Sequence, residues 1–167
     1  MHLVGAVSGK KISKQKFDEA IVGAPVVDAN VIYMPVNNGD VNFGEYDLFA
    51  GKFNWILKLS EIETSPLVYA SQIFVTTHEG KLVAIDKHKG IVNWTFQDSQ
   101  DKRKPSRSSA ATDGKIVVFG NDNGYLYAVD VDNGKLLWKF KTGGSIVATP
   151  SISNQTVLFG STDGYFY

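Results

Sequence analysis

The chain has 167 residues, of which 43% are hydrophobic and 20% charged, so its composition is that of a globular protein rather than a disordered or fibrous one. Its 17 Lys and Arg residues balance 17 Asp and Glu residues, which argues against the basic surface of a nucleic-acid binder. The absence of Cys excludes disulfides, thiolate metal sites and a Cys nucleophile.

The N-terminal residues do not resemble a secretory leader. They lack a basic segment, and Gly and Ser interrupt the apolar stretch at residues 3–9. We therefore expect any export signal to lie outside this sequence. No window approaches the roughly 20 apolar residues of a membrane-spanning helix, so we expect no membrane insertion.

A repeat of about 41 residues runs along the chain, and it can be followed from the residues that open each unit. Their spacings are 41, 43 and 41 residues, at Pro25, Pro66, Ser109 and Pro150. A period of this size is typical of propellers and solenoids. We expect one complete unit in each of three segments: 25–65, 66–108 and 109–149.

Short apolar runs within a unit predict β-strands. In the third complete unit, the runs 116–119 and 125–129 flank a polar turn with Gly, which is a β-hairpin pattern. A second turn leads to the run 136–140, and we expect one further strand around residues 146–148. Four short antiparallel strands per unit predict an all-β fold, in which each unit is one blade of a β-propeller.

Three residues recur at fixed spacing in the complete units. Each Asp precedes a Trp by eight residues, and each Gly precedes the same Trp by four. The three sets are Asp47, Gly51 and Trp55; Asp86, Gly90 and Trp94; and Asp130, Gly134 and Trp138. A Trp ring buries ~150–250 Å² and Gly permits both positive φ and close approach, so we interpret these positions as structural.

The two ends of the chain resemble two halves of one further unit. Residues 150–167 stop at a point where the third unit continues, and Gly9 stands in a sequence that matches the surroundings of Gly134. We expect residues 1–24 to be a half blade that completes 150–167. Three arrangements are compatible with this: a self-closed four-bladed ring, a head-to-tail homodimer with eight blades, or part of a longer chain. We favour the last two.

The segment 128–138 resembles A-x-D-x-x-x-G-K-x-x-W, the repeat motif of the pyrroloquinoline-quinone-like (PQQ-like) β-propellers. Residues 84–94 and 45–55 carry further copies, whereas the N-terminal copy has Ser13 where Trp is expected. This resemblance implies that each Trp packs across to the neighbouring blade over the Gly of a neighbouring motif. It also implies that each Asp fixes its turn.

The resemblance implies two alternative functions. Quinone-dependent dehydrogenases of this family hold the quinone and a calcium ion with acidic and amide ligands, and no such ligand set can be placed here. His78 and His88 fall in separate turns and cannot share a metal. We therefore predict no catalytic residue, no cofactor and no metal. The less favoured of the two functions is that the chain is a fragment or relative of a PQQ-dependent dehydrogenase.

The favoured function is a non-catalytic scaffold that binds a protein or peptide, similar to the lipoprotein scaffold of the outer-membrane barrel-assembly machinery. The same resemblance favours an extracytoplasmic location, periplasmic or at the cell surface.

One basic cluster lies in the longest interval between a Trp and the next unit: Lys102, Arg103, Lys104 and Arg107. Two interpretations remain open, a solvated loop or a basic contact for an acidic peptide or a phosphate group. Loops carry many binding sites, so these residues are the candidate partner contact.

Overall fold

The computed structural model describes residues 2–14, 16, 23–38, 41–100 and 104–167. In these residues the secondary structure consists of β-strands, with no helix. The strands are β1 (His2–Val4), β2 (Lys11–Lys14), β3 (Val26–Asp28), β4 (Val31–Asn38), β5 (Val41–Asp47), β6 (Lys52–Leu57), β7 (Leu67–Tyr69), β8 (Gln72–Thr76), β9 (Leu82–Asp86), β10 (Ile91–Phe96), β11 (Ala111–Thr112), β12 (Ile116–Gly120), β13 (Tyr125–Asp130), β14 (Leu136–Lys141), β15 (Ser151–Ser153) and β16 (Thr156–Leu158).

The strands form three four-stranded antiparallel sheets and two two-stranded sheets. Blade 1 contains β3–β6, blade 2 contains β7–β10 and blade 3 contains β11–β14; the half blades are β1–β2 and β15–β16. The predicted fold class, an all-β propeller of four-stranded blades, is confirmed. The strand expected around residues 146–148 is wrong, because this segment lies in the connection between β14 and β15.

The inner strands of blade 2 are apolar on both faces because its sheet packs between blades 1 and 3. In β8, Ile73 and Val75 join a buried cluster that contains Phe43 of blade 1. Phe74, which points to the opposite face, joins a cluster that contains Phe119 of blade 3. Side chains alternate across a strand, so one continuous apolar run supplies two separate cores.

Buried hydroxyl groups connect successive blades. Thr76 lies in blade 2, and its Oγ1 is 2.9 Å from Oγ1 of Thr64 in the preceding connection. The same Oγ1 donates to the carbonyl of Ser108 at 2.8 Å, and the Ser108 hydroxyl donates to the carbonyl of Ala148 at 2.9 Å. Buried polar groups need such partners, and here the bonds join one connection to the next.

The two ends of the blades present different loops. We call the end with the β8–β9 and β12–β13 hairpins the connection face, because the segments that link blades pack there. The N–H of His78 donates to Glu61 at 2.8 Å, and the N–H of Asp122 donates to Pro105 at 2.9 Å. The opposite end, the turn face, carries the β5–β6, β9–β10 and β13–β14 turns, where the repeated Asp and Gly residues lie.

Candidate interaction site

The repeated Asp residues hold the turns of the turn face. Oδ1 of Asp86 accepts hydrogen bonds from the N–H groups of His88 and Lys89, both at 3.0 Å. Asp47 and Asp130 accept the corresponding pairs at 2.8–3.1 Å. The N–H of Lys89 is the main cause that lowers the pKa of the Asp86 carboxyl, since this bond favours the ionised form. His88 is exposed in this turn.

Two of the repeated Trp rings lie against the repeated Gly of the following blade. A Cβ atom at Gly90 would stand 2.4 Å from Cγ and Cδ2 of Trp55, and one at Gly134 would stand 2.4 Å from Cε3 of Trp94. Both glycines have positive φ, 62° and 70°. Each position therefore favours Gly for two reasons, its backbone conformation and the ring above it.

The indole N–H groups of these two rings differ in their surroundings. Nε1 of Trp55 donates to the carbonyl of Lys87 in blade 2 at 3.1 Å, whereas Nε1 of Trp94 is buried without a hydrogen-bond partner. An ion pair supports the first contact, since Nζ of Lys87 lies 2.9 Å from Oδ2 of Asp28 in blade 1. Blades 2 and 3 are joined by an ion pair as well, since Nζ of Lys139 lies 2.7 Å from Oδ2 of Asp98.

Trp138 occupies a more open position. It is 40% exposed, and Phe140, two residues later on β14, is 45% exposed. The corresponding residue of blade 2, Phe96, is only 9% exposed. A cleft of about 600 Å³ opens beside β14, and it is lined by Leu126, Trp138, Lys139, Phe140, Gln155, Val157, Phe159 and Tyr167.

The basic cluster is described only in part, because Lys102 and Arg103 lie outside the described residues. Arg107 forms an ion pair with Asp122 on the β12–β13 hairpin, with Nη2 2.7 Å and Nε 3.0 Å from Oδ2. This carboxylate raises the pKa of the guanidinium. Lys104 is exposed on the connection face.

The Arg107–Asp122 pair was not predicted from the sequence. The two residues lie in different loops, and no local pattern links them. The neighbouring backbone is also fixed, because the Ser106 hydroxyl donates to the carbonyl of Gly120 at 2.6 Å. The segment therefore joins two blades as well as carrying charge.

The described donor groups do not form a metal site. Within the described residues, no three His, Cys, Asp or Glu side chains converge as metal ligands do. His78 follows β8 on the connection face, and His88 follows β9 on the turn face.

The described part of the chain also holds no helix that is long and apolar enough to cross a membrane.

A family model described as "Outer membrane protein assembly factor BamB" matches residues 1–167. A protein of this name from Moranella endobia is 26% identical over 144 residues, covering 86% of this chain and 36% of the relative. A quinoprotein ethanol dehydrogenase from Pseudomonas aeruginosa is 37% identical over 91 residues, covering 53% of this chain and 14% of the enzyme. The chain thus spans about a third of the length of the assembly factors it matches.

Two solved structures show the same fold. BamB from Moraxella catarrhalis superposes with a TM-score of 0.77 at 18% identity, covering 98% of this chain and 54% of that one. The computationally designed Ika4 protein superposes with a TM-score of 0.76 at 18% identity, covering 93% of both chains. At these identities the likeness concerns the fold alone.

Proposed function

Because the chain belongs to the outer membrane protein assembly factor BamB family of PQQ-like β-propellers, we propose that it is a non-catalytic scaffold that binds protein partners. The observation that carries this proposal is the match of the family along residues 1–167. The relatives' name supports a role in the assembly of outer membrane proteins and, with it, an extracytoplasmic location.

The contacts of the repeat residues support a scaffold rather than an enzyme. The carboxylates of Asp47, Asp86 and Asp130 hold turns through backbone N–H groups. Catalytic carboxylates instead need access to a substrate or a bound ion. These acidic groups are thus used for the architecture of the blades.

The connection face is our candidate for the partner contact. Of the basic cluster, Lys104 and Arg107 lie on this face, and Asp122 neutralises Arg107. Among the described residues of the cluster, exposed Lys104 therefore supplies the net positive charge. Complementary charge steers association, so we propose that this segment meets an acidic stretch of a partner protein.

Restoration of outer membrane protein assembly tests the proposal. The chain would be exported by an added leader in an Escherichia coli strain that lacks BamB, and the amounts of assembled outer membrane proteins would be measured. We expect the wild type to raise these amounts and Lys104→Glu to raise them less. Lys135→Glu is the matched control, because Lys135 is an exposed Lys on the turn face.

Two results would contradict the proposal. A folded, exported wild type that leaves the amounts unchanged would remove the assembly role. Equal effects of Lys104→Glu and Lys135→Glu on the amounts of assembled outer membrane proteins would contradict the assignment of the partner contact to the connection face.

A quinone-dependent dehydrogenase is the second candidate function, since the quinoprotein ethanol dehydrogenase has 37% identity over 91 residues. The described donor groups do not converge on a calcium ion. The shared residues therefore support common blade architecture more than common chemistry.

Head-to-tail pairing of two copies in an eight-bladed ring is a further part of the proposal. The two half blades at the ends of the chain, β1–β2 and β15–β16, supply its structural basis.

A further inference from the structure

A cleft of about 380 Å³ opens on the connection face between blades 1 and 2. Blade 1 contributes the three residues that follow β6, and blade 2 contributes the β8–β9 hairpin with the neighbouring parts of β9 and β10. The polar residues of the lining are Lys58, Ser60, Thr77, Glu79, Lys81 and Thr95. The cleft therefore belongs to two complete blades, and it lies on the face that we propose for the partner contact.

The lining of this cleft has a net positive charge. The ammonium groups of Lys58 and Lys81 outnumber the one carboxylate, that of Glu79, with which Lys81 forms an ion pair. Three hydroxyl side chains complete the polar lining. Ammonium and hydroxyl groups donate hydrogen bonds, and the bonds to an ionised acceptor are the stronger ones, so this lining favours an anion.

Thr77 contributes a buried donor to the cleft. Its side chain is 1% exposed, and its Oγ1 accepts the N–H of Lys81 at 3.2 Å. Among the described residues, no acceptor lies within hydrogen-bond distance for the hydroxyl proton itself. A buried donor without an acceptor is costly, so this hydroxyl favours a ligand that accepts a hydrogen bond.

The corresponding place between blades 2 and 3 holds a carboxylate of the protein itself. Asp98 corresponds to Leu59, since each stands four residues after the repeated Trp of its blade. The Asp98 side chain is only 9% exposed, and its Oδ2 lies 2.7 Å from Nζ of Lys139 in blade 3. Its Oδ1 accepts the N–H of Gln100 at 3.0 Å.

This internal site stabilises the ionised form of the carboxylate. Burial raises the pKa of the Asp98 carboxyl, but the hydrogen bonds from Lys139 and from the N–H of Gln100 outweigh this effect and keep the pKa below its ordinary value. The Tyr127 hydroxyl adds a further hydrogen bond. A joint between two blades can thus hold a carboxylate that a Lys and a hydroxyl contact.

The cleft between blades 1 and 2 has the donors of such a site without the carboxylate. Leu59 stands where blade 2 has Asp98, so this position provides no acidic group. The cations come from other positions: Lys58 is the third residue after its Trp, and Lys81 directly follows the Gly of the β8–β9 hairpin. The cleft therefore leaves room for a carboxylate from outside the chain.

We infer that this cleft binds the carboxylate of an Asp or Glu side chain of a partner protein, as the next joint binds Asp98. This inference rests on the proposed function and specifies where the acidic stretch of the partner binds. The β8–β9 hairpin connects the cleft with the segment of Lys104, because the N–H of Ser106 donates to the carbonyl of Thr77 at 3.1 Å. An acidic stretch that crosses this hairpin therefore meets both cationic sites.

A peptide titration followed by NMR tests this inference on the isotope-labelled protein. The ligand is the capped peptide Gly-Glu-Glu-Gly, and the matched control ligand is the capped peptide Gly-Gln-Gln-Gly. We expect the Glu peptide to give saturable shifts at the amides of residues 58–60 and 77–81, and the Gln peptide to give none there. Equal shifts with both peptides, or shifts spread over the lysines of both faces, would overturn the inference.

Lys81→Gln removes one ammonium group from the cleft and keeps most of the side-chain length. We expect it to raise the Kd of the Glu peptide ~3–10-fold, because a charge-assisted hydrogen bond is lost at a partly exposed position. Lys89→Gln is the matched control, since Nζ of Lys89 also lies beside a carboxylate, 3.9 Å from Oδ2 of Asp86, but on the turn face. Equal effects of the two substitutions would overturn the role of the cleft.

Two substitutions of Leu59 test the comparison with the next joint. Leu59→Asp should place a carboxylate in the cleft and raise the Kd of the Glu peptide at least ~tenfold, because like charges repel. Leu59→Asn has nearly the same shape without the charge, and it should raise the Kd less. Equal affinities of these two variants would contradict the inference, and the comparison of Lys81→Gln with Lys89→Gln decides it if Leu59→Asp does not fold.

Inorganic phosphate provides a further arm of the titration. Shifts at the same amides with a lower Kd than that of the Glu peptide would overturn the carboxylate assignment in favour of a phosphoryl group. A higher Kd for phosphate would support the carboxylate.

The assembly assay keeps this inference separate from the scaffold role. Restoration of outer membrane proteins by a chain that does not bind the Glu peptide would overturn the cleft and leave the scaffold role intact. Peptide binding in the cleft without restoration would support the inference and contradict the scaffold role. A loss of peptide affinity in Lys104→Gln but not in Lys81→Gln would overturn the cleft and leave the connection face as the partner contact.

Discussion

The contact between Trp55 and Gly90 makes a quantitative prediction for Gly90→Ala. The new Cβ would stand 2.4 Å from the Trp55 ring, at a φ of 62°. An L-residue in the left-handed region costs ~1–2 kcal/mol, and an extra carbon in a packed contact costs a further ~1–3 kcal/mol. We therefore expect Gly90→Ala to lower the free energy of unfolding by ~2–5 kcal/mol.

Gly51→Ala separates the two causes. Gly51 occupies the same turn of blade 1 with a φ of 66°, and its nearest neighbour is the Tyr46 hydroxyl at 3.8 Å. Only the conformational cost of ~1–2 kcal/mol applies there. At ~2–4 °C per kcal/mol for a chain of this length, we expect the unfolding temperature of Gly90→Ala to lie ~2–12 °C below that of Gly51→Ala.

The assay is urea and thermal unfolding followed by circular dichroism, with Gly134→Ala as a second variant under Trp94. Gly134→Ala should resemble Gly90→Ala, because its Cβ would also meet a Trp ring at 2.4 Å. Equal destabilisation by all three substitutions would refute the idea that Trp packing, rather than backbone conformation, requires Gly at these positions.

Two further predictions concern buried hydroxyls and pH. Thr76→Val should lower the free energy of unfolding by ~1–3 kcal/mol in urea titrations, because the Ser108 carbonyl loses its donor. Thr95→Val is the control, since Thr95 is exposed, and it should change the free energy of unfolding by less than ~0.5 kcal/mol. Folding lowers the pKa of the Asp86 carboxyl. The ionised carboxylate therefore stabilises the folded protein at pH values above the pKa of the unfolded state, which is ~3.9. This stabilisation is lost as the pH falls through the pKa of the folded state. The difference in unfolding free energy between wild type and Asp86→Asn should therefore shrink from pH 7 to pH 2.5, and a constant difference would contradict this assignment.

The sequence was most informative where local spacing reflects the fold. The Asp–Gly–Trp spacing and the Gly-containing turns predicted the blades, because each pattern lies within one blade. The fold class followed from these patterns and was confirmed. The contact between Trp55 and Gly90 crosses two blades, and only the family resemblance pointed to it.

Contacts between loops of different blades could not be predicted from the sequence. Thr76 reaches Ser108 and Arg107 reaches Asp122 because the blades bring distant loops together, and no local pattern identifies either pair. Ile146 shows the converse error. Its apolar character predicted a strand, but the side chain is buried in the cluster of Leu126 and Phe159 within a connection.

We propose, as the central claim, that this chain is a protein-binding scaffold without quinone chemistry. Thermal unfolding with and without added PQQ and calcium ions tests the second half of that claim most directly. We expect the unfolding temperature to change by less than ~1 °C, within the scatter of repeated scans, compared with the several degrees that tight binding produces. A ligand at 100 times its Kd adds ~2.7 kcal/mol, or ~5–11 °C for a chain of this length, and a rise of that size would contradict the account.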